Sequence, residues 1–138
     1  MADVKNNPPM TGVVADLRSR DATAAIDFYK RAFGAEEVTR MMSDDGKLVM
    51  HCELTVNGGR LMLGDAFPDY GYPWEEPKGV TLTLPVVEPH DLWKRAIEAG
   101  CEVVMPLEIA FWGDWYGQVK DPFGHVWAFV APAEKKQE

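Results

Sequence analysis

The chain has 138 residues, 46% of them hydrophobic, which is typical of one globular domain or of two small modules that share a core. It carries 14 Lys and Arg residues against 22 Asp and Glu residues, for a net charge of −8. Because nucleic acids and anionic membranes are bound by clustered basic side chains, this balance argues against both as partners. It is compatible with a cationic or neutral ligand.

The sequence shows no signal for secretion or membrane insertion. Residues 1–11 contain two adjacent prolines and no apolar core, so they predict a flexible tail and not a signal peptide. No segment approaches the roughly 20 apolar residues of a membrane-spanning helix. We therefore expect a cytoplasmic protein. Cys52 and Cys101 form no Cys-x-x-Cys pair, and we expect both to be buried, reduced thiols.

The first half of the chain predicts a strand, a helix and three further strands. Asp21 is a suitable N-cap for the helix, and Gly34 is a suitable C-terminal stop. Asn57-Gly58-Gly59 predicts a tight hairpin turn between the last two strands. The predicted elements are a strand over 13–18, the helix between Asp21 and Gly34, and strands over 37–42, 47–57 and 60–65.

The strand over 47–57 alternates in polarity, which predicts one buried face and one polar face. The predicted core face carries Leu48, Met50, Cys52, Leu54 and Val56. The opposite face carries Val49, His51, Glu53, Thr55 and Asn57. Across the hairpin, Arg60 and Met62 are predicted to join His51 and Glu53 on that second face.

The second half predicts the same order of elements after an aromatic, proline-rich linker over 66–78. Tyr72 and Trp74 in this linker are candidates for lid, dimer or pocket contacts. A β-rich run over 79–87 leads to a helix that begins at Pro89 and ends at Ala99-Gly100. Strands are predicted over 101–105, 111–120 and 125–131.

Short matches between the halves support a duplication. Lys30-Arg31-Ala32 recurs as Lys94-Arg95-Ala96, 64 positions later. Glu37-Val38 recurs as Glu102-Val103, 65 positions later. The matching order of elements makes duplication a better explanation than chance.

The stretch over 111–129 holds three of the five tryptophans, Trp112, Trp115 and Trp127. Within it, Asp121-Pro122-Phe123-Gly124 has the composition of a type I turn between two strands. Aromatic rings beside a few polar groups can line a small-molecule pocket, and they can equally form a core hairpin. The polar candidates interleaved with the rings are Asp114, Tyr116 and Gln118.

The duplicated order of elements and the stretch over 111–129 resemble the vicinal oxygen chelate superfamily, which includes glyoxalase I, bleomycin-resistance proteins and extradiol dioxygenases. The similarity covers about residues 12–131 and is carried at its C-terminal end by FWGD, GQ and DPFGH between 111 and 125. Two further segments resemble the PhnB-like branch, namely AIDFYKRAFGAE over 25–36 and RLMLGD over 60–65.

The resemblance implies an α+β fold in which tandem βαβββ modules form a curved mixed sheet around a cleft. It implies one glyoxalase-like domain over 12–131, with module one at 12–65, a linker at 66–78 and module two at 79–131. Residues 132–138 would be a charged tail. It also implies a homodimer.

Catalytic members of that superfamily hold a divalent metal with His, Gln or Glu from the first and last strand of each module. The corresponding positions here are Val14, Asp65, Thr83 and Ala128, and strand parity turns Asp65 toward the helix. Because this set does not suit zinc or magnesium, we expect no metal cofactor. Displaced ligands built from His51, Glu53 and Asp114 are an alternative.

We therefore expect a metal-free protein that binds a small, partly apolar molecule. The alternative is a metal-dependent lyase, isomerase or dioxygenase, or an enzyme that uses His51 beside Glu53 as a general base. A third reading makes the C-terminal hairpin a dimer interface. The expected ligand-binding residues are His51, Glu53, Arg60, Met62, Trp112, Asp114, Tyr116 and Gln118.

The simpler role for His51 and Glu53 is a hydrogen bond to each other or to Arg60. The remaining histidines are expected away from the site, His90 on the surface and His125 toward the helix or solvent.

Overall fold

The computed structural model describes residues 8–133. Of the predicted tails at 1–11 and 132–138, residues 1–7 and 134–138 lie outside the described residues. The chain divides into two compact units, residues 1–75 and 76–138. Within the described part, neither helix is long and apolar enough to cross a lipid bilayer.

The first unit is a four-stranded mixed sheet with one helix. The elements are β1 (Ala15–Ser19), α1 (Ala22–Phe33), β2 (Glu36–Met42), β3 (Val49–Val56) and β4 (Gly59–Asp65). The strand order is β1-β4-β3-β2, in which β1 runs parallel to β4 and the other neighbours are antiparallel. A short 3-10 turn, Pro68–Tyr70, follows the sheet.

The second unit has the same order of elements: β5 (Thr81–Pro85), α2 (Pro89–Ala99), β6 (Glu102–Ile109), β7 (Asp114–Lys120) and β8 (Val126–Pro132). Its strand order, β5-β8-β7-β6, is equivalent to that of the first unit. Here β5 runs parallel to β8, and the other pairs are antiparallel. The predicted α+β fold class, with strand, helix and three strands in each half, is confirmed.

The ends of α1 agree with the sequence prediction. The Asp21 side chain accepts a hydrogen bond from the amide of Ala24 at 3.1 Å, so it caps the first turn. Gly34 ends the helix in the left-handed region, with φ at 71°. The buried face of the helix places Ile26 and Tyr29, both fully buried, in the core of the first unit.

Asp65, at the end of β4, joins the helix to the sheet. Its Oδ1 accepts from the amide of Ala22 at 2.8 Å, in the first turn of α1. Its Oδ2 accepts from the amide of Val49 at 2.7 Å, at the start of β3. The side chain faces the helix, as strand parity predicted, and only 5% of the residue is exposed. Two backbone donors that would otherwise be buried without a partner are satisfied by one carboxylate.

The predicted core face of β3 is wrong at its beginning. Leu48 and Met50 are each 37% exposed, whereas Val49 is fully buried. The pairing explains the change: Met41 lies opposite His51 but Met42 lies opposite Val49, so β3 carries one extra residue, Met50. A β-bulge of this kind reverses the inside–outside alternation on one side of it. From Cys52 onward the predicted core residues Cys52, Leu54 and Val56 are all buried.

The second unit packs its sheet closely against α2. The Trp93 ring of this helix packs edge to face on the Phe129 ring of β8, with 5.5 Å between the ring centres. Gly117 of β7 lies against the same tryptophan, where a Cβ would be only 2.8 Å from a ring carbon. The close approach of helix and sheet therefore requires glycine at this position.

Strand β6 is longer than the predicted strand over 101–105, since it continues to Ile109. It contains Pro106, which has no backbone N–H to donate. β6 lies at the edge of its sheet and has a register shift between Met105 and Glu108, so the ladder tolerates the proline.

The predicted turn between β7 and β8 is confirmed. The amide of Gly124 donates to the carbonyl of Asp121 at 3.1 Å, as in a β-turn. The Asp121 carboxylate, 3% exposed as a residue, accepts from the amides of Phe123 and His125 and from the indole N–H of Trp127 at 2.9 Å. The aspartate therefore has a structural role in this turn.

Candidate functional site

Four predicted site residues come together on one sheet face of the first unit. Glu53 of β3 lies opposite Met62 of β4, and Thr55 lies opposite Arg60. The Arg60 guanidinium donates through Nη1 to Oε2 of Glu53 and through Nη2 to the carbonyl of Pro8. The side chains of Glu53 and Arg60 are only 10% and 13% exposed, so this ion pair is largely removed from water.

His51 lies on the same strand face, two residues before Glu53, and is half-buried opposite Met41 of β2. The ion pair agrees with the simpler of the two roles expected for Glu53, a contact with Arg60 across the hairpin. The Glu53 carboxylate that such a pair would need is already paired with the Arg60 guanidinium. The arrangement therefore does not favour an acid–base pair of His51 and Glu53.

Arg18 belongs to this face and was missed from the sequence. It lies on β1 beside β4, where its Nη2 donates to Asp16 at 3.0 Å and its Nη1 donates to the carbonyl of Asp65 at 3.2 Å. Its guanidinium stacks 4.6 Å from the ring centre of Tyr72. The signal in the sequence was the alternation of Asp16 and Arg18 with apolar residues, which would have placed both on the polar face.

The other four predicted residues gather in the second unit. The Trp112 ring, 50% exposed, lies 5.4 Å from the Tyr116 ring of β7. The Gln118 side chain donates through Nε2 to the Tyr116 hydroxyl at 2.9 Å. Asp114 begins the same strand and is half-buried. The result is an aromatic surface with an amide and a carboxylate on one strand, at alternate positions.

The residues at the family metal positions do not fit a divalent cation. In the first unit, Val14 offers no ligand atom, and both carboxylate oxygens of Asp65 accept from backbone amides. In the second, Thr83 pairs with Ala128, so one hydroxyl is the sole side-chain oxygen of that pair. Within residues 8–133, no three His, Cys, Asp or Glu side chains form a group that could hold a metal ion.

The two histidines of the second unit differ in exposure. His90 is exposed, as predicted; its Nδ1 lies 2.7 Å from Glu88, and its ring packs 4.5 Å from Trp115. His125 is 8% exposed, and its Nε2 has no hydrogen-bond partner within the described residues.

Both cysteines are buried and free, as the sequence predicts. Burial raises the pKa of the Cys52 thiol to about 11 and that of the Cys101 thiol to about 12. Because the thiolate is the reactive form, neither cysteine is poised as a nucleophile near neutral pH.

A groove of about 590 Å³ in the first unit was not expected from the sequence. It lies where the β2–β3 hairpin meets the segment after β4, and we call it the methionine groove. None of the eight predicted site residues lines it. Its lining residues are Met41, Met42, Ser43, Asp44, Asp45, Leu48, Met50, Ala66, Phe67, Pro68, Asp69 and Tyr70.

Comparison with protein-family models assigns this architecture to a known family. Residues 12–129 match the model of the Glyoxalase/Bleomycin resistance protein/Dioxygenase superfamily. The chain belongs to this superfamily. The match spans both βαβββ units and confirms the resemblance noted in the sequence.

The chain is also similar to individual proteins and solved structures. An uncharacterised protein of Mycobacterium bovis is 42% identical over 121 residues, which cover 83% of this chain and 79% of the relative. The crystal structure of TioX from Micromonospora is 25% identical, with a TM-score of 0.71 over 89% of this chain and 99% of that one. A PhnB protein from Bacillus cereus shares the fold, at 18% identity and a TM-score of 0.64 over 88% of this chain and 99% of that one.

Proposed function

We propose that this protein is a metal-free, small-molecule-binding member of the superfamily. The proposal rests on the residues at the family metal positions. Val14, Thr83 and Ala128 together supply one side-chain hydroxyl. Both carboxylate oxygens of Asp65 already accept hydrogen bonds from backbone amides. Binding can proceed without coordination chemistry, since shape, apolar contact and a few directed polar groups suffice for micromolar affinity.

The aromatic surface of the second unit supports a planar, partly apolar ligand. Trp112 offers a half-exposed ring, and Tyr116 packs against it, which fixes the orientation of both. Gln118 and Asp114 add an amide and a carboxylate on the same strand. A planar aromatic amide is complementary to this set, because its ring can stack and its amide can exchange hydrogen bonds with Gln118.

The polar face of the first unit, taken by itself, also carries groups that can orient a small ligand. The Glu53–Arg60 pair is buried enough to hold a fixed geometry, and its position beside Met62 places charge next to apolar surface. His51 adds a ring that can donate or accept a hydrogen bond. We propose these residues as contributors to ligand orientation, with no role in bond making.

We expect planar aromatic amides, with benzamide as the first probe, to bind saturably and to raise the melting temperature by mass action. The Trp112→Ala variant should weaken the affinity roughly fivefold, since an aromatic contact contributes about 1 kcal/mol beyond its area. The measurement is a thermal-shift titration of wild type and variant, repeated after dialysis against EDTA.

The matched control is Val87→Ala, which removes an apolar loop side chain that is 90% exposed and lies outside both the aromatic surface and the methionine groove; it should leave benzamide affinity unchanged. Loss of binding after EDTA treatment would contradict the proposal, and so would retention of one equivalent of a transition metal in protein purified without a metal-affinity step. Equal effects of the two variants would place the ligand elsewhere.

We also propose a homodimer, as the family resemblance implies. Edge strand β6 exposes an apolar row, and such a row is costly to leave in water. Val104→Lys, at a residue 47% exposed, should shift the sedimentation equilibrium toward monomer, whereas Val87→Lys, at a loop residue 90% exposed, should not. A wild type that sediments as a monomer at all concentrations would contradict the dimer. The exposed residues are Val103, Val104, Met105, Ile109 and, just beyond the strand, Phe111.

A further inference from the structure

We propose that the methionine groove of the first unit is a binding site for small lipophilic organic cations. The groove shares no residue with the predicted ligand-binding set, so this inference is independent of the proposed function. Its volume of about 590 Å³ lies within the range of pockets that hold drug-sized molecules. The argument rests on three properties of its walls: rigidity, apolar lining and charge.

One wall is the hairpin loop over 43–48, which is fixed by its own side chains. The Ser43 hydroxyl donates to Asp45 at 2.7 Å and accepts from the amide of Leu48 at 3.1 Å. The amide of Lys47 donates to the same Asp45 oxygen at 3.0 Å. These bonds hold the loop in one shape, so little ordering entropy is lost when a ligand binds.

The opposite wall is the segment after β4. The amides of Tyr70 and Tyr72 both donate to the carbonyl of Phe67, at 3.0 and 2.8 Å, and close a compact turn. The Phe67 and Tyr70 rings meet edge to face at 5.9 Å. Phe67 is 8% exposed and anchors the turn, while Tyr70 is 72% exposed and available to a ligand.

Three methionine side chains line the groove. Met41 and Met42 are consecutive on β2, and on a regular strand their side chains would face opposite sides of the sheet. Both line the groove together with Met50, at the bulge that interrupts the pairing of β2 and β3. Methionine is flexible and polarizable, so three of them form an adaptable apolar surface. Aromatic faces beside them favour a cation over a neutral molecule of the same shape.

The charges of the groove have one sign. Asp44, Asp45 and Asp69 line it, and the twelve lining residues include no Lys, Arg or His. The hydrogen bonds from Ser43 and from the amide of Lys47 lower the pKa of Asp45, which keeps it charged at neutral pH. An organic cation neutralises this field, whereas an anion of similar size is repelled.

The test uses the full chain with ¹³C-methyl methionine, whose methyl signals are assigned by single Met→Leu substitutions. On titration with benzyltrimethylammonium chloride, we expect the Met41, Met42 and Met50 signals to shift saturably and those of Met62 and Met105 to stay in place. Benzenesulfonate, an anion of similar size, should produce no saturable shift. Asp44→Asn with Asp69→Asn should weaken the ammonium affinity roughly fivefold.

The control is Asp27→Asn with Glu36→Gln, which makes the same change in net charge at exposed residues outside the groove and should change the affinity less than about twofold. All four substituted residues are exposed, so the folded state should be retained. The proposal is overturned if benzenesulfonate binds equally well or if Met62 shifts instead. It is also overturned if the three groove signals change with protein concentration alone, which would make the groove a contact between copies of the chain.

Discussion

Replacing Asp65 by alanine should lower the free energy of unfolding by about 3 kcal/mol. The substitution leaves the amides of Ala22 and Val49 without an acceptor in a buried position, and each unsatisfied donor costs about 1–3 kcal/mol. It also removes the negative charge at the start of α1, where the helix dipole favours it. Urea denaturation followed by circular dichroism measures the change.

Asp27→Ala is the matched control, because Asp27 lies on the exposed face of α1 in an i,i+4 pair with Arg31 and should contribute less than about 0.5 kcal/mol. The comparison also bears on metal binding. If Asp65 were a metal ligand, added Zn²⁺ or Mn²⁺ would stabilise the wild type and not the variant; we expect neither protein to respond. A loss below 1 kcal/mol would contradict the structural role of Asp65.

Replacing Gly117 by alanine should destabilise the protein by about 2 kcal/mol, because the added methyl group has no room. A Cβ at this position would lie 2.8 Å from the Cα of Leu107 and 2.8 Å from the Trp93 ring. Backbone on one side and a packed indole on the other leave no flexible group to move aside. Thermal and urea denaturation measure the loss, and near-ultraviolet circular dichroism reports displacement of Trp93.

Gly59→Ala is the control for this substitution, since Gly59 also lies in a strand and its nearest neighbour to a new Cβ is the Val56 carbonyl at 3.6 Å. We expect a change within about 0.5 kcal/mol there. Combining Gly117→Ala with Trp93→Leu should cost less than the sum of the two single substitutions, because the smaller side chain leaves room for the added methyl group. Additive effects in this pair would show that the strain does not involve Trp93.

Much of the fold could be predicted from the sequence, because helix caps and tight turns depend on residues that are close together in the chain. Asp21 and Gly34 are residues whose own side chain or backbone freedom defines a helix end, so neighbouring residues suffice to place α1. The turn at Asp121 is equally local, since its hydrogen bonds span four residues. Alternation across the second hairpin placed Arg60 with Glu53 correctly, because a short turn fixes the register of the strands it joins.

Some residues of the candidate surfaces could not be placed from the sequence, because their positions depend on pairing between distant strands. Nothing in the local sequence of β3 distinguishes Met50 from a core residue, and its exposure follows from the bulge formed with Met41 and Met42 of the neighbouring strand. Likewise, Arg18 lies on the polar face because β1 pairs with β4. The Arg18 side chain contacts Asp65 of β4, which is 47 residues further along the sequence.

The amino-acid sequence by itself therefore determined the βαβββ order of each half, the superfamily, the helix ends and the turn-linked register of β3 and β4. Only the tertiary structure decided the bulge at Met50, the place of Arg18 and the existence of the methionine groove. The physical reason is that capping and tight turns depend on residues close together in the chain. Strand register across a long loop depends instead on which distant backbone groups pair, and a shift of one residue exchanges the two faces of a strand.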